Sequence, residues 1–343
     1  MSIPALSSKL RSNFKIGVFD SGVGGLTVLR ELTAQMPHES FIYFGDTARV
    51  PYGNRSKDEI LRFVREIIAW MMTQDVKMII MACNTSSALV LEEVRSEFQI
   101  PILGIILPGA KAAVKSGKRI GVVSTQATAD SNAYQQAVLE IDRTAKVWQV
   151  GCQDFVPLIE GDRIHDPYTL SVAKRYLEPL IADGIDTLVY GCTHYPHLAP
   201  VFKQILPETI KLVDPARYLT VAAMQELKIL RLRRSKTAQA SQMDTQTDTH
   251  QMPAPSNPAP SNPARSGSAQ TTEFYVSGDS QQFAKVSTQW LGFEPLVNRV
   301  AVETLESIHV STSSHTLVAD SAARTSSAQT EPARTEPARQ AAA

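Results

Sequence analysis

The chain has 343 residues, enough for about two domains of ordinary size. Its 34 lysines and arginines equal its 34 aspartates and glutamates, which excludes an overall basic surface built for nucleic acid. Three cysteines make no disulfide framework and suit a reducing compartment; with no signal peptide legible, and no apolar run near the ~18–20 residues that span a bilayer, a cytoplasmic protein without a membrane partner is expected.

Residues 16–19 (IGVF) read as a buried strand, followed by the glycine turn DSGVGG (20–25) and a helix over 26–35. Residues 41–44 give a second strand. Over 59–73 the apolar residues Ile60, Phe63, Val64, Ile67, Ile68 and Met71 keep helical spacing. A strand at 78–81, a helix at 87–98 and a strand at 102–106 follow. The alternation then restarts, with strands at 119–123, 146–150, 187–190 and 211–213 and helices at 129–141, 170–182 and 201–205. This order predicts an α/β protein of two similar units, each with a mainly parallel sheet between helices. A helix is expected over 215–234. Residues 235–272, rich in Ser, Thr, Gln, Ala and Pro, carry too little apolar surface to offset ordering and are expected to be disordered. A strand at 273–276 and a helix at 280–291 restore order, and 311–343, with TEPARTEPAR, reads as a disordered tail.

Two of the three cysteines share one setting. Cys83, in ACNTSSA, follows the strand at 78–81, and Cys192, in GCTHYP, follows the strand at 187–190. Ligands of parallel α/β sheets bind beyond the carboxyl ends of the strands, so two units can present one thiol each to a shared cleft. Helix capping by Asn84, Thr85 and Ser86 is expected to pull the Cys83 thiol below its free value of about 8.5, and Thr193 and His194 to do the same for Cys192. A thiolate facing a thiol is an acid–base pair for proton exchange at one carbon. Other readings stay open: small buried hydrophobes, which is how Cys152 is read, a Cys83–Cys192 disulfide, a metal held by Cys192, His194 and His197, or a Cys–His nucleophile. Against the last, residues two apart on an extended loop point away from each other.

The glycine turn suits an anion cradle or a turn needing glycine conformations; Thr27 breaks the dinucleotide fingerprint. Asp20, at the strand end, can hold an ammonium group or polarise a thiol. Tyr52 and the Gly53 N–H lie in the turn VPYGNRS, a ligand contact or a surface loop, and Glu160 in FVPLIEGD reads as a solvated carboxylate.

With these residues assembled, the sequence resembles bacterial glutamate racemases, of the cofactor-independent aspartate/glutamate racemase superfamily. The matching stretches, in family order, are IGVFDSGVGGLTVL, YFGDTARVPYG, ACNTSSA, FVPLIEG and YGCTHYPHL, with FYVSGD near the C-terminus. The resemblance implies two three-layer α/β domains flanking an active-site cleft: 14–107 with 214–309, and 108–213, with residues 1–13 as a further disordered tail. It implies interconversion of L- and D-glutamate for peptidoglycan, without cofactor or metal. Cys83 then looks like the base for D-glutamate and Cys192 the base for L-glutamate, tuned by Asp20 and His194, with Glu160 third. Substrate contacts would come from Asp20, Ser21, Tyr52, Gly53, Asn84, Thr85, Thr193 and His194. GCTH in place of GCTE favours glutamate over aspartate. A peptidoglycan-precursor activator and a homodimer are the partners the resemblance adds. Departures at Leu107, Gln153, Asp154 and the 235–272 insert leave both thiol loops intact. The rivals are a racemase of aspartate or another small acid, a Cys–His hydrolase or transferase, and a binding protein without turnover.

Overall fold

The computed structural model describes residues 12–234 and 270–308. The disorder expected for 1–11, 235–269 and 311–343 lies outside the described residues. The expected disordered stretches are too long at two ends. Ser12 is buried and its carbonyl accepts from Lys77 Nζ at 2.7 Å, while Asn13 accepts from Arg234. Gln270 donates to the carbonyls of Thr33 and Met36, and Thr271 to Ser40 Oγ.

The first half of the chain runs β1 (Lys15–Asp20), α1 (Leu26–Gln35), β2 (Phe41–Gly45), α2 (Lys57–Met72), β3 (Val76–Met81), α3 (Asn84–Glu97) and β4 (Ile102–Gly104). The chain then passes through α4 (Ile106–Ser116) to β5 (Arg119–Ser124), α5 (Gln126–Asp130), α6 (Ala133–Ile141), β6 (Lys146–Gly151), α7 (Phe155–Glu160), α8 (Pro167–Ala182), β7 (Thr187–Gly191), α9 (Ala199–Ile205) and β8 (Lys211–Val213). It returns by α10 (Pro215–Ile229), and β9 (Thr272–Val276), α11 (Ser280–Leu291), β10 (Val297–Arg299) and α12 (Val302–Ser307) complete the described part.

Two parallel sheets result, one six-stranded in the order β10-β9-β2-β1-β3-β4, the other four-stranded in the order β6-β5-β7-β8. The C-terminal strands β9 and β10 thus join the first sheet. Strands β1, β2, β3 and β7 are buried almost end to end, because helices cover both faces, and this is why they read as continuous apolar runs. Lys77 is the polar exception in β3; its ammonium is buried against Glu39 at 2.6 Å. Register sets the level of the site. Phe19 pairs with Met81, so Asp20 and Cys83 leave neighbouring strands at one edge. In the other sheet Ser124 pairs with both Gly151 and Gly191, which places Thr125, Cys152 and Cys192 at one level.

Three local expectations change. The strand expected to Ile106 stops at Gly104, and α4 follows. Pro108 sits in the first turn of α4, where a missing N–H removes no intrahelical bond. The helix expected over 129–141 is broken by Asn132 in the left-handed region, φ 56°. The helix expected to reach Arg234 ends at Ile229, with Arg231 at φ 56°.

Candidate active site

Cys83 stands between β3 and α3. It is itself the residue that precedes the helix, and Asn84, Thr85 and Ser86 form the first turn instead of capping it. The thiol is 5 % exposed and donates to Ser21 Oγ at 3.9 Å. The expected depression of its pKa is not what the structure gives. Burial pushes the thiol up to about 12, and the neighbouring Asp20 carboxylate adds to this, while the Ser86 backbone and side chain pull the other way. The helix N-terminus favours the thiolate, but in a water-poor site desolvation outweighs it. Charge on Cys192 also raises Cys83, so the two sulfurs share one electrostatic neighbourhood.

Asp20 ends β1 and is buried. Its Oδ2 accepts from the N–H groups of Gly25 at 2.9 Å and Gly22 at 3.3 Å, so the anion cradled by the glycine turn is this carboxylate. Its Oδ1 is buried with no hydrogen-bond partner among the described residues. Burial raises the Asp20 pKa, opposed by His194 and the turn N–H groups. The glycines of the turn serve close approach; none has a positive φ. A Cβ on Gly24 would lie 2.3 Å from Thr193 Oγ1 and 2.4 Å from His194 Nδ1, and one on Gly25 would lie 2.5 Å from Asp20 Cβ.

Cys192 follows β7, 7 % exposed. The loop after it is coiled: Tyr195 N–H returns to the Cys192 carbonyl at 3.2 Å, and a 3-10 turn spans Tyr195–Leu198. His194 therefore reaches Cys192, its Nδ1 3.8 Å from Sγ, against the expectation for an extended loop. Its Nε2 lies 2.9 Å from Glu160 Oε1. Glu160 ends α7, its side chain half exposed but anchored on the histidine, so it is more than a solvated loop carboxylate. Burial pulls the His194 pKa down, yet Cys192 and Glu160 together outweigh it and hold it up at about 10. A cationic imidazolium beside Cys192 is the consequence. Trp290 of α11 meets the His194 ring edge to face at 5.3 Å and covers His197 at 4.1 Å. Burial drives His197 down to about 4, so it stays neutral.

Several contacts join the two sheets at this level. Thr27 Oγ1 donates to the Thr193 carbonyl at 3.0 Å. Thr85 Oγ1 lies 2.9 Å from Thr125 Oγ1 and 3.2 Å from Thr128 Oγ1, and Thr125 and Thr128 are 2.9 Å apart. Tyr134 O–H donates to Asn84 Oδ1 at 2.7 Å. Thr125, Thr128, Tyr134 and Trp290 escaped the sequence reading, because nothing in local spacing marks a partner from the other sheet.

Tyr52 is buried, and its hydroxyl donates to Asp46 Oδ2 at 2.5 Å, next to the Asp46–Arg49 ion pair at 2.8 Å. The side chain thus holds its own turn, leaving the backbone of Tyr52 and Gly53 as the part that can face a ligand. Gly53 lies against Thr125, with 3.5 Å from a built Cβ to Thr125 Cβ. All three cysteines are free thiols, and Cys152, fully buried, is raised by burial. Among the described residues no three His, Cys, Asp or Glu side chains are grouped to hold a metal ion. A groove of about 580 Å³ between α3, α4, α6 and α10 contains neither Cys83 nor Cys192.

Residues 16–223 match the family model for Asp/Glu/hydantoin racemases. Over 290 residues the chain is 58 % identical to a glutamate racemase of Rippkaea orientalis, covering 84 % of this chain and 92 % of that protein. The crystal structure of a glutamate racemase isoform from Bacillus anthracis superposes with a TM-score of 0.72 at 31 % identity, over 85 % of this chain and 98 % of that one. A Francisella tularensis glutamate racemase in complex with D-glutamate gives a TM-score of 0.72 at 30 % identity, over 85 % and 99 % of the two chains.

Proposed function

The chain belongs to the Asp/Glu/hydantoin racemase family and is a racemase, and on that premise we propose that it interconverts L- and D-glutamate with two cysteine bases, supplying D-glutamate to peptidoglycan synthesis. The observation that carries the reading is that Cys83 and Cys192, both buried, stand at the carboxyl ends of two separate parallel sheets, near enough for charge on Cys192 to raise Cys83. In this reading the two sheets belong to two domains, 14–107 with 214–309 and 108–213, which close over the amino acid.

The substrate ammonium meets Asp20 Oδ1, the buried oxygen without a partner among the described residues. Its α-carboxylate takes donors from the first turn of α3, Asn84 and Thr85, and from Ser21; the backbone of Tyr52 and Gly53 and the Thr193–His194 loop complete the enclosure. From L-glutamate, the Cys192 thiolate takes the α-proton, breaking the Cα–H bond and forming S–H. The Cys83 thiol gives its own proton to the opposite face of Cα and becomes the thiolate. The reverse direction exchanges the roles. Negative charge at Cys192 is balanced by the His194 imidazolium, which Glu160 orients. Cys83 has no such partner. A pKa lifted to about 12 makes the Cys83 thiolate costly to form, a cost the substrate ammonium beside Asp20 must offset.

The test is optical. Incubated with pure L-glutamate, the protein should drive the circular-dichroism signal to zero as the enantiomers equalise, with L-aspartate turned over far more slowly. A steady signal would leave only a binding protein, faster loss with aspartate would move the substrate class, and a covalent enzyme adduct would point to the hydrolase or transferase reading.

A further inference from the structure

Tyr134 belongs to α6, in the four-stranded part of the molecule, yet its hydroxyl ends on a residue of the six-stranded part. The side chain is fully buried. A buried O–H must find an acceptor, and the one it reaches is Asn84 Oδ1 at 2.7 Å. Burial holds the phenol's pKa well above its ordinary value, helped by Asp214 and Cys192, so it stays a donor at any working pH. An asparagine amide can turn over and exchange its oxygen and nitrogen; this bond removes that freedom. With Oδ1 occupied, the NH2 group is committed to the other side. There Nδ2 is buried and meets no protein acceptor among the described residues. An unmet amide donor beside Cys83, in the first turn of a helix, is a donor reserved for an anionic ligand group.

We infer that Tyr134 is a positioning residue for the reaction: by bonding Asn84 Oδ1 it presents the Asn84 NH2 group to the substrate α-carboxylate. This rests on the racemase reading above and deepens it. The ring lies against α4, one of the two helices through which the chain passes between the sheets. A Cβ on Gly109 of α4 would lie 3.2 Å from Tyr134 Cε1, and 3.0 Å from Pro215 at the start of α10. Since donor and amide come from different sheets, the amide is fixed only when the two parts of the molecule are together. A carboxylate donor then becomes available at the moment of closure, when the α-proton must be made acidic.

The test is a double-mutant cycle of Tyr134→Phe and Asn84→Ala, read as kcat/KM. The equilibrium constant of a racemisation is one, so kcat/KM must fall equally in both directions for every variant. Tyr134→Phe should lower it about ten- to a hundredfold, and Asn84→Ala at least as much. On the Asn84→Ala background, Tyr134→Phe should then change it less than about twofold. A loss that multiplies undiminished onto Asn84→Ala would overturn the inference, because Tyr134 would be acting on the fold or on another group. So would a Tyr134→Phe variant as active as the parent. Full activity of Asn84→Ala would instead overturn the substrate contact assigned to Asn84, and this inference with it. Asn84→Asp tests the same point with the tyrosine intact: it keeps an acceptor for Tyr134 and deletes the NH2 donor. It should be as inactive as Asn84→Ala, and retained activity would contradict the role.

Discussion

The two thiol ends of the site are built alike and supported differently. Both cysteines leave a buried parallel strand, and both are nearly sealed from solvent. Cys83 opens a helix and faces a carboxylate, and burial lifts it to about 12. Cys192 opens a coiled loop that brings His194 within 3.8 Å, and that histidine is held cationic by Cys192 and Glu160 together. The protein thus carries a neutral thiol at one end and an imidazolium beside the other sulfur. The asymmetry teaches that strand-end position supplies the geometry, while the tertiary partners make the two ends electrostatically unlike.

The largest effect should come from removing either sulfur. Cys83→Ser and Cys192→Ser should each lower turnover about 10³-fold or more, with far-ultraviolet circular dichroism unchanged. A single variant that retains full turnover would break the symmetry of position outright. Next, Gly24→Ala should cost about ten- to a hundredfold in kcat/KM, since the new methyl needs the space of Thr193 Oγ1 and His194 Nδ1. Wild-type rates would show that the loop yields without disturbing His194.

Glu160→Gln should cost about tenfold and reveal which end is affected. With substrate deuterated at Cα, the isotope effect should grow for L-glutamate, whose proton goes to Cys192 in the proposed reaction, and stay unchanged for D-glutamate. Its pH dependence has a definite sign. His194 has a folded-state pKa near 10, above its ordinary 6.5, so activity that needs the cation persists at neutral pH and falls as pH rises toward 10. The same group stabilises the fold fully below about 6.5 and loses that contribution as pH rises through about 10. In Glu160→Gln burial regains ground, and the alkaline limb should move to lower pH. An unmoved limb would remove Glu160 from the pair. The smallest kinetic effect is expected away from the site. Lys77→Met leaves Glu39 buried without its cation, so denaturant unfolding should show a loss of about 3 kcal/mol while kcat stays within twofold. A large fall in kcat would mean that this edge of β3 communicates with Cys83.

Much of the frame was legible because both faces of the sheets are covered. Runs such as VKMIIM and TLVYG announce buried strands, and Cys83 and Cys192 follow them directly. The α4 helix went unread: it opens with Pro108 and Gly109, poor helix formers in general, at positions where the first turn tolerates proline and where Tyr134 and Pro215 crowd any Cβ. The Cys192–His194 contact was hidden by the assumption of an extended loop. The depressed pKa expected for Cys83 was wrong because a helix N-terminus was weighed without the burial around it. Trp290 and Tyr134 lie far from the thiol loops in sequence, and no period or motif links them to His194 or Asn84.

Two-base chemistry is tested most directly by starting from unlabelled L-glutamate in D2O and analysing both enantiomers by mass before a tenth of the substrate has turned over. Two opposed sulfurs predict D-glutamate carrying one deuterium at Cα while the remaining L-glutamate is unlabelled. Deuterium appearing equally in both enantiomers from the outset, or D-glutamate formed without it, would contradict proton removal by one sulfur and delivery by the other.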